Sequence, residues 1–160
     1  IILTSQGIPF LHAGQEFART KGGDPNSYQS PDHVNQLDWE RKGEFEQLYR
    51  YTKALIELRK CRPALRLRTG DQVRRYLRFL DLPKGMVGFS LGPHANGDSF
   101  ETILVFFNSN PSEVEVTVHP GCWEVLVNDQ GVGPMGIATG PRVVVPAISA
   151  LVLARKGDAR

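Results

Sequence analysis

Residues 7–16 of this chain read GIPFLHAGQE, so that a short apolar run lies between two glycines. A run of this length, bounded by turn residues, is typical of a strand buried on both faces, as in a parallel sheet. Pro9 falls near its start, where a missing N–H costs least. The segment therefore predicts a buried strand over residues 8–13, with Gly14 and its successors emerging at the carboxyl end.

The next segment, between Phe17 and Trp39, has no hydrophobic period and is dominated by Gly, Pro, Asn, Asp and Ser. It is far longer than the usual connection between elements. Apolar side chains then recur at three- and four-residue steps from about Gly43, which predicts an amphipathic helix ending before Pro63. Strand, loop and helix make one β/α unit, and long loops after parallel strands often carry function.

After Pro63 the pattern changes to that of an all-β region. Thr69 is a plausible N-cap for a short helical turn over residues 71–75. Short strands separated by turn residues follow at roughly 8–12-residue spacing, which predicts an antiparallel sandwich. Their expected ranges are 76–80, 86–91, 102–107, 113–118, 123–127, 142–145 and 150–153. The aromatic residues of these strands are expected to fill the core rather than form a sugar-binding platform.

The composition excludes several classes of protein. Of the 160 residues 41% are hydrophobic, which suffices for a core and argues against disorder. The net charge of +2 is not concentrated in the basic stripe that nucleic acids require. No stretch approaches the roughly 20 apolar residues that cross a bilayer. Cys61 and Cys122 do not suggest a disulfide scaffold, and we expect two thiols that are at least half-buried.

The chain contains no self-contained active site. It lacks a Walker loop, a G-x-G-x-x-G motif and a C-x-x-C pair, and its four histidines are scattered singly. Its serines lack the context of a nucleophile elbow. No metal site and no cofactor are indicated. Calcium dependence stays open, since isolated Asp24 and Asp32 do not make a dense oxygen cluster.

Several motifs nevertheless resemble a known family. Residues 7–16 resemble the region around the eighth barrel strand in the α-amylase superfamily. The segments that follow resemble type I pullulanase in order and spacing; they are FARTKGG at 17–23, NSY at 26–28, VNQLDW at 34–39, LIELRK at 55–60 and VVPAISALVL at 144–153. The chain also begins in mid-pattern at Ile1. The resemblance therefore implies the C-terminal portion of such an enzyme.

The fold implied by this resemblance is mixed. Residues 1–65 would be the terminal β/α unit of a (β/α)8 catalytic barrel, with strand, rim loop and helix. Residues 66–157 would be an antiparallel β-sandwich domain, and residues 158–160 a polar tail.

The activity implied is retaining hydrolysis of α-1,6-glucosidic bonds in pullulan, amylopectin or related dextrins. Such chemistry uses a nucleophilic carboxylate and a carboxylic acid about 5–5.5 Å apart. In the family these groups follow the fourth, fifth and seventh barrel strands, upstream of this sequence. The family's Asn-His-Asp and Arg-x-Asp segments are absent here. No catalytic residue is therefore assigned, and the chain alone is expected to be inactive.

The resemblance places the long loop at the glycone side of the active-site cleft. Asp24, Asn26 and Tyr28 are the candidates for sugar contact. Carboxylate and amide groups can bind sugar hydroxyls, and an aromatic ring can pack on a pyranose face. The alternative is turn chemistry, because Asp-Pro-Asn-Ser at residues 24–27 makes a good turn without any ligand.

Four further residues are expected to support the loop. Glu16 lies on the rim, where a carboxylate could be mistaken for a catalytic acid, and is expected to hold loops by hydrogen bonds. Asn35 and Asp38 are expected to tie the loop to the following helix, and Trp39 to pack beneath it.

Two other functions remain open. The chain could be a non-catalytic carbohydrate-binding β-sandwich with residues 1–60 as an appendage. It could also belong to a related α-glucan hydrolase of the limit dextrinase or isoamylase type. The expected partner is an α-glucan. A lone β/α unit leaves strand faces and edges uncovered, so self-association of the chain is also expected. The sequence leaves the cellular compartment open.

Overall fold

The computed structural model describes residues 1–157, so the predicted tail at 158–160 lies outside the described residues. Within these residues the chain forms four α-helices: α1 (Asp32–Asn35), α2 (Arg41–Glu44), α3 (Glu46–Cys61) and α4 (Gly70–Tyr76). Short 3₁₀ turns cover Gln15–Phe17, Ser27–Gln29, Pro63–Leu65 and Ala95–Gly97. Among residues 1–157, no helix combines the length and the apolar character needed to cross a membrane.

In the part of the chain that the structure describes, eight strands follow the helices. They are β1 (Leu77–Phe79), β2 (Met86–Leu91), β3 (Thr102–Asn108), β4 (Val114–Thr117), β5 (Cys122–Val127), β6 (Ile137–Thr139), β7 (Arg142–Val145) and β8 (Ser149–Arg155). Six of them form an antiparallel sheet in the order β1-β2-β3-β8-β5-β6, and β4 pairs with β7 in a separate two-stranded ribbon. The chain therefore carries a small antiparallel all-β unit.

The large sheet is covered on both faces. Successive side chains of β3 point to opposite sides, so that Ile103 contributes to one core and Leu104 to the other. The first core meets α3 and α4, and includes Leu55 and Val73 at its margin. The second lies between the sheet and the β4–β7 ribbon, around Trp123. Burial on both faces explains why β3 and β8 read as nearly continuous apolar runs.

Most predicted elements are confirmed within one or two residues at their ends. Helix α3 and the seven strands lie where the period placed them. Thr69 caps α4 in a capping box with Gln72. Strand β6 was missed, because three residues between Gly136 and Gly140 are too few to show a period. The second sheet has only two strands, so the two layers of the predicted sandwich are unequal.

The predicted strand over residues 8–13 is not formed, and this expectation was wrong for the described structure. Ile8 is 97% exposed and Phe10 is 82% exposed. A strand exists only where a neighbour accepts its backbone hydrogen bonds, and none of the strands within residues 1–157 pairs with this segment.

Two smaller expectations also need correction. Cys61 and Cys122 are both exposed free thiols rather than buried ones. Phe79, expected in the core, is 74% exposed, because it lies on the edge strand β1 and only meets the ring of Phe89 edge-on at 6.3 Å. Trp123, Phe106 and Phe89 are buried in the sheet as expected, and Phe107 is partly buried.

The N-terminal residues are fastened to α3 and to the segment after it. The buried guanidinium of Arg59 donates to the carbonyls of Leu3 at 3.1 Å, Ser5 at 2.7 Å and Gly7 at 2.6 Å. The side-chain amide of Gln6 donates to Ala64 O at 2.8 Å and accepts from Leu67 N at 2.9 Å.

The sheet is joined to α3 by a buried carboxylate. Asp98 accepts from Arg62, at the end of α3, at 3.3 Å, and from the backbone N–H groups of Ala64 at 3.2 Å and Phe100 at 3.1 Å. The helix that follows the rim loop is thus held against the β unit.

Candidate functional site

The long loop over residues 17–39 is closed where its two ends meet. The ring of Phe17, which is buried, lies 5.5 Å from that of Trp39 at an interplanar angle of 45°. Trp39 itself remains 65% exposed. One part of its indole therefore packs on the loop end, while the rest is open to solvent.

The middle of the loop is held by Lys21 and Asn35. The Lys21 ammonium donates to Ser27 Oγ at 2.5 Å and to Asn35 Oδ1 at 3.1 Å. The Asn35 amide then donates to the carbonyls of Ser27 at 2.7 Å and Ser30 at 2.9 Å. These four bonds draw residues 21, 27, 30 and 35 together, and Ser27 is buried among them.

Asp24 lies in the turn between Lys21 and Ser27, two of the residues joined by these hydrogen bonds. Its Oδ1 accepts from Asn26 N at 2.9 Å, and its Oδ2 accepts from the hydroxyl of Ser30. The hydrogen bond from Ser30, then that from Asn26, and the nearby charge of Lys21 lower the pKa of Asp24 below the ordinary aspartate value. The carboxylate therefore stays ionised at neutral pH, and both of its oxygens already have a partner within the loop.

Asn26 and Tyr28 flank Ser27 and face outward. Asn26 is exposed, and Tyr28, in the turn Ser27–Gln29, is 76% exposed. An exposed phenol ring on a closed turn can pack against a pyranose face, and an exposed amide can pair with sugar hydroxyls. Of the three predicted sugar-contact residues, these two have free side chains, whereas Asp24 is engaged in the turn.

The turn before the loop contains Glu16. Its Oε2 accepts from Gly14 N at 3.0 Å within a tight turn. Gly14 has φ +91°, and a Cβ placed there would lie 2.8 Å from Arg19 Cβ, so glycine is required. Arg19 in turn donates to the carbonyls of Asn35 and, at 3.4 Å, of Ala13. Glu16 thus shapes the turn before the loop, and Arg19 joins that turn to the far end of the loop.

The start of the loop, at Ala18, is attached to the next helix by Arg41. Its Nε and Nη2 donate to Ala18 O at 3.2 and 2.8 Å. Asp38 accepts from Glu40 N at 3.0 Å, a local bond just before α2. The hydrogen bonds of the Asn35 side chain lie within the loop itself.

Sequence reasoning missed the cations that hold the site. Arg19, Lys21 and Arg41 all bind oxygen atoms of the loop, and Arg41 also pairs with Glu44 at 3.7 Å. The sequence did contain an indication of them, since these three cations lie in or beside a loop composed mainly of small and polar residues. Their partners are mostly backbone carbonyls, however, which no residue pattern reveals. Within residues 1–157 no cluster of His, Cys, Asp and Glu is suited to hold a metal ion.

A concave surface apart from the loop lies on the β unit. It has a volume of about 1180 Å³ and is lined largely by apolar groups, among them Ile1, Phe79, Val87, Phe107 and Ile148. Its described lining includes none of the loop residues 17–39. It is therefore separate from the predicted sugar-contact residues.

Comparison with known proteins matches both parts of the chain. The family model described as "Pullulanase, all-beta domain" matches residues 73–131. A pullulanase of Bacillus subtilis (strain 168) is 44% identical over 115 residues, which cover 72% of this chain and 16% of that protein. Isoamylase 1 of Oryza sativa subsp. japonica is 29% identical over 149 residues, which cover 86% of this chain and 18% of the relative.

Solved structures match nearly the whole chain. The pullulanase from Bacillus acidopullulyticus superposes with a TM-score of 0.91 at 40% identity, covering 96% of this chain and 19% of that one. The Paenibacillus barengoltzii pullulanase in complex with maltohexaose and alpha-cyclodextrin gives 0.87 at 44% identity, covering 98% and 24%. The chain spans a small part of each relative, and it belongs to the pullulanase family as a C-terminal portion that includes the all-beta domain.

Proposed function

We propose that this chain is the C-terminal part of a starch-debranching glycoside hydrolase that cleaves α-1,6-glucosidic bonds in pullulan, amylopectin or related dextrins. The observation that carries the proposal is likeness over 96–98% of the chain to pullulanases, among them one in complex with maltohexaose. The likeness extends through the rim loop as well as the all-beta domain. The mechanism proposed is retaining hydrolysis by two carboxylates.

Residues 1–65 are proposed to be the last β/α unit of the catalytic barrel, and residues 66–157 its β-sandwich domain. The exposed apolar side chains of Ile8 and Phe10 support this division. In a closed barrel the segment 8–13 would gain a parallel neighbour on each side, and these side chains would be covered. The hydrogen bonds from Arg59 to the carbonyls of Leu3, Ser5 and Gly7 would then determine where that strand begins.

Within this division the bond-breaking groups lie upstream, and the chain supplies the rim loop. Tyr28 and Asn26 are proposed to contact the glucan, because their side chains face solvent on a turn that is held from within. Asp24 is proposed as a sugar contact through the lone pairs not used by Ser30 and Asn26. Glu16, Asn35, Asp38 and Trp39 are proposed to support the loop through the contacts described above.

The test is to assay pullulan hydrolysis by the 160-residue chain and by a longer protein that adds the upstream barrel strands. We expect turnover only from the longer protein. Turnover by the chain alone would contradict the placement of the catalytic carboxylates upstream. Product analysis on pullulan and on glycogen with the longer protein then separates a pullulanase specificity from the limit dextrinase or isoamylase type.

The isolated chain is also proposed to self-associate. Ile8 and Phe10 present one apolar surface, and Phe79 and Ile148 present another. Apolar surface of this kind on an unassembled unit favours association. Sedimentation of the chain should show oligomers that Ile8→Lys and Phe10→Lys disrupt, whereas a monodisperse wild-type monomer would contradict the proposal.

A free-standing carbohydrate-binding module is the weaker candidate. Such modules usually bind sugars with exposed aromatic rings. The aromatic residues Phe89, Phe100, Phe106 and Trp123 of the β unit are buried instead, Phe107 is partly buried and Phe79 is exposed. Strong α-glucan binding by residues 70–160, unaffected by deletion of residues 1–60, would favour this alternative.

A further inference from the structure

We propose that Lys21 is the positioning residue of the rim loop, fixing Tyr28 and Asn26 in the geometry that receives the glucan. The proposal rests on the proposed function in one respect, namely that this loop binds the sugar. Lys21 itself is not a sugar contact in this scheme, because its ammonium is directed into the loop, toward Ser27 Oγ and Asn35 Oδ1.

Lys21 is the first residue of a series of hydrogen bonds that runs through the turn to Asn26. Its ammonium orients the Asn35 amide by binding Oδ1, which leaves the Nδ2 group to donate to Ser27 O and Ser30 O. Ser30 then donates its hydroxyl to Asp24, whose other oxygen accepts from Asn26 N. Lys21 therefore acts on Asn26 through three intermediate residues, and on Tyr28 through its neighbour Ser27.

The backbone beside Lys21 supplies few hydrogen bonds of its own: Asp24 N donates to Lys21 O at 3.2 Å, and Gly22 N donates to Thr20 Oγ1 at 3.1 Å. Gly22 and Gly23 both have positive φ angles, +63° and +84°, and open space surrounds the position of a Cβ at each. Two adjacent glycines leave the chain many conformations, so ordering this segment is entropically costly. A charged donor supplies hydrogen bonds roughly twice as strong as neutral ones, which offsets part of that cost.

This arrangement predicts a particular kinetic signature. Without the ammonium, the turn samples other conformations, and sugar binding must order it again. Affinity for the glucan then falls, while the bond-breaking step continues at its own rate because its carboxylates lie elsewhere. A merely structural role would instead lower thermal stability or the active fraction without a selective change in KM.

The experiment uses the complete enzyme that contains this chain, with kcat and KM measured on pullulan for four variants. Lys21→Met is expected to raise KM about tenfold with kcat within about twofold. Lys21→Arg should recover part of the affinity, since it retains a charged donor. Tyr28→Ala should raise KM by a similar factor. Lys53→Met, which removes an exposed lysine from α3, is the matched control and should leave both constants unchanged.

The outcomes separate the two proposals. If Tyr28→Ala raises KM and Lys21→Met does not, the positioning role is overturned while the sugar-contact role stands. If neither raises KM, the loop does not bind the glucan and both proposals are overturned. A fall in kcat alone, or a loss of melting temperature with KM unchanged, also overturns the positioning role. A rise in KM for Lys21→Met, together with faster exchange of the Asn26 and Ser30 amides, supports it.

Discussion

The β unit and the first third of the chain reach order by different physical means. In the β unit, β3 and β8 pair along their whole length, and both faces of the sheet are packed. In the first third, short turns are held by Arg19, Lys21, Arg41 and Arg59, whose donors bind carbonyl, hydroxyl and amide oxygens. Packing sustains the first region, whereas directed hydrogen bonds sustain the second and leave Ile8, Phe10 and Trp39 largely exposed.

The contrast indicates which region needs no further partner. A region built on packing already has its stabilising partner inside the chain. A region built on cation-to-carbonyl bonds has a defined shape but little buried apolar surface, so it gains most when another part of the protein covers it. Three substitutions test the contrast, one in each region and one at the junction between them.

The largest effect is expected in the sheet. Phe106 is fully buried between the sheet and the β4–β7 ribbon, so Phe106→Ala should lower the free energy of unfolding by about 3–5 kcal/mol. The matched control is Phe79→Ala, which removes an exposed ring from an edge strand and should cost less than about 1 kcal/mol. Denaturant titration followed by Trp123 fluorescence measures both. Equal costs would show that packing does not dominate the β unit.

An intermediate effect is expected at the junction. Arg59→Met removes the donors to Leu3 O, Ser5 O and Gly7 O, and should lower the local stability of residues 1–7 by about 2 kcal/mol. Amide exchange and limited proteolysis should report the opening. The unfolding midpoint of the sheet should stay close to that of the wild type.

The control for this change is Arg50→Met. Arg50 forms an exposed ion pair with Glu46 on the same helix, and such pairs contribute less than about 1 kcal/mol. If Arg59→Met unfolds the whole chain in one transition, the two regions are a single cooperative unit and the contrast drawn here is wrong.

The smallest effect is expected in the loop, as a dependence on pH. The folded pKa of Asp24 is lowered by its hydrogen bonds from Ser30 and Asn26 and by the charge of Lys21. The ionised carboxylate therefore stabilises the turn above the unfolded pKa of about 3.9, and this contribution is lost as pH falls through the folded pKa. The protection of the Asn26 amide against exchange, relative to an unstructured amide at the same pH, should fall in acid more than the protection of the β3 amides. Asp24→Asn should remove that difference; persistence of the difference would exclude Asp24 as its source.

The sequence sufficed for the β unit because its signals are local. Examples are the alternation of Val114, Val116 and Val118, the N-cap at Thr69 and the turn residues between strands. Each of these structures forms through residues close by in the sequence. The strand predicted at residues 8–13 failed because its signal concerns a partner. An apolar run indicates that a segment is buried in the complete protein, but it does not show which element buries it.

The loop shows the same limit in another form. Its candidate residues were found from residue type and resemblance, and two of them, Asn26 and Tyr28, have exposed side chains. The bonds that hold it could not be found, because Arg19 and Arg41 bind backbone carbonyls, which every residue has. The position of Lys21 beside two glycines could have marked it as a candidate. Its partners Ser27 and Asn35, however, are visible only in the structure.

The position of β8 in the sheet bears on how the protein is made. Strand β8 is the last in sequence, yet it lies in the middle, between β3 and β5. On the ribosome, the two halves of the sheet therefore have no common partner until residues 149–155 have left the exit tunnel. Until then β3 and β5 each present an open edge to other nascent chains. Loss of residues 149–155 would therefore remove the strand that joins the two halves of the sheet.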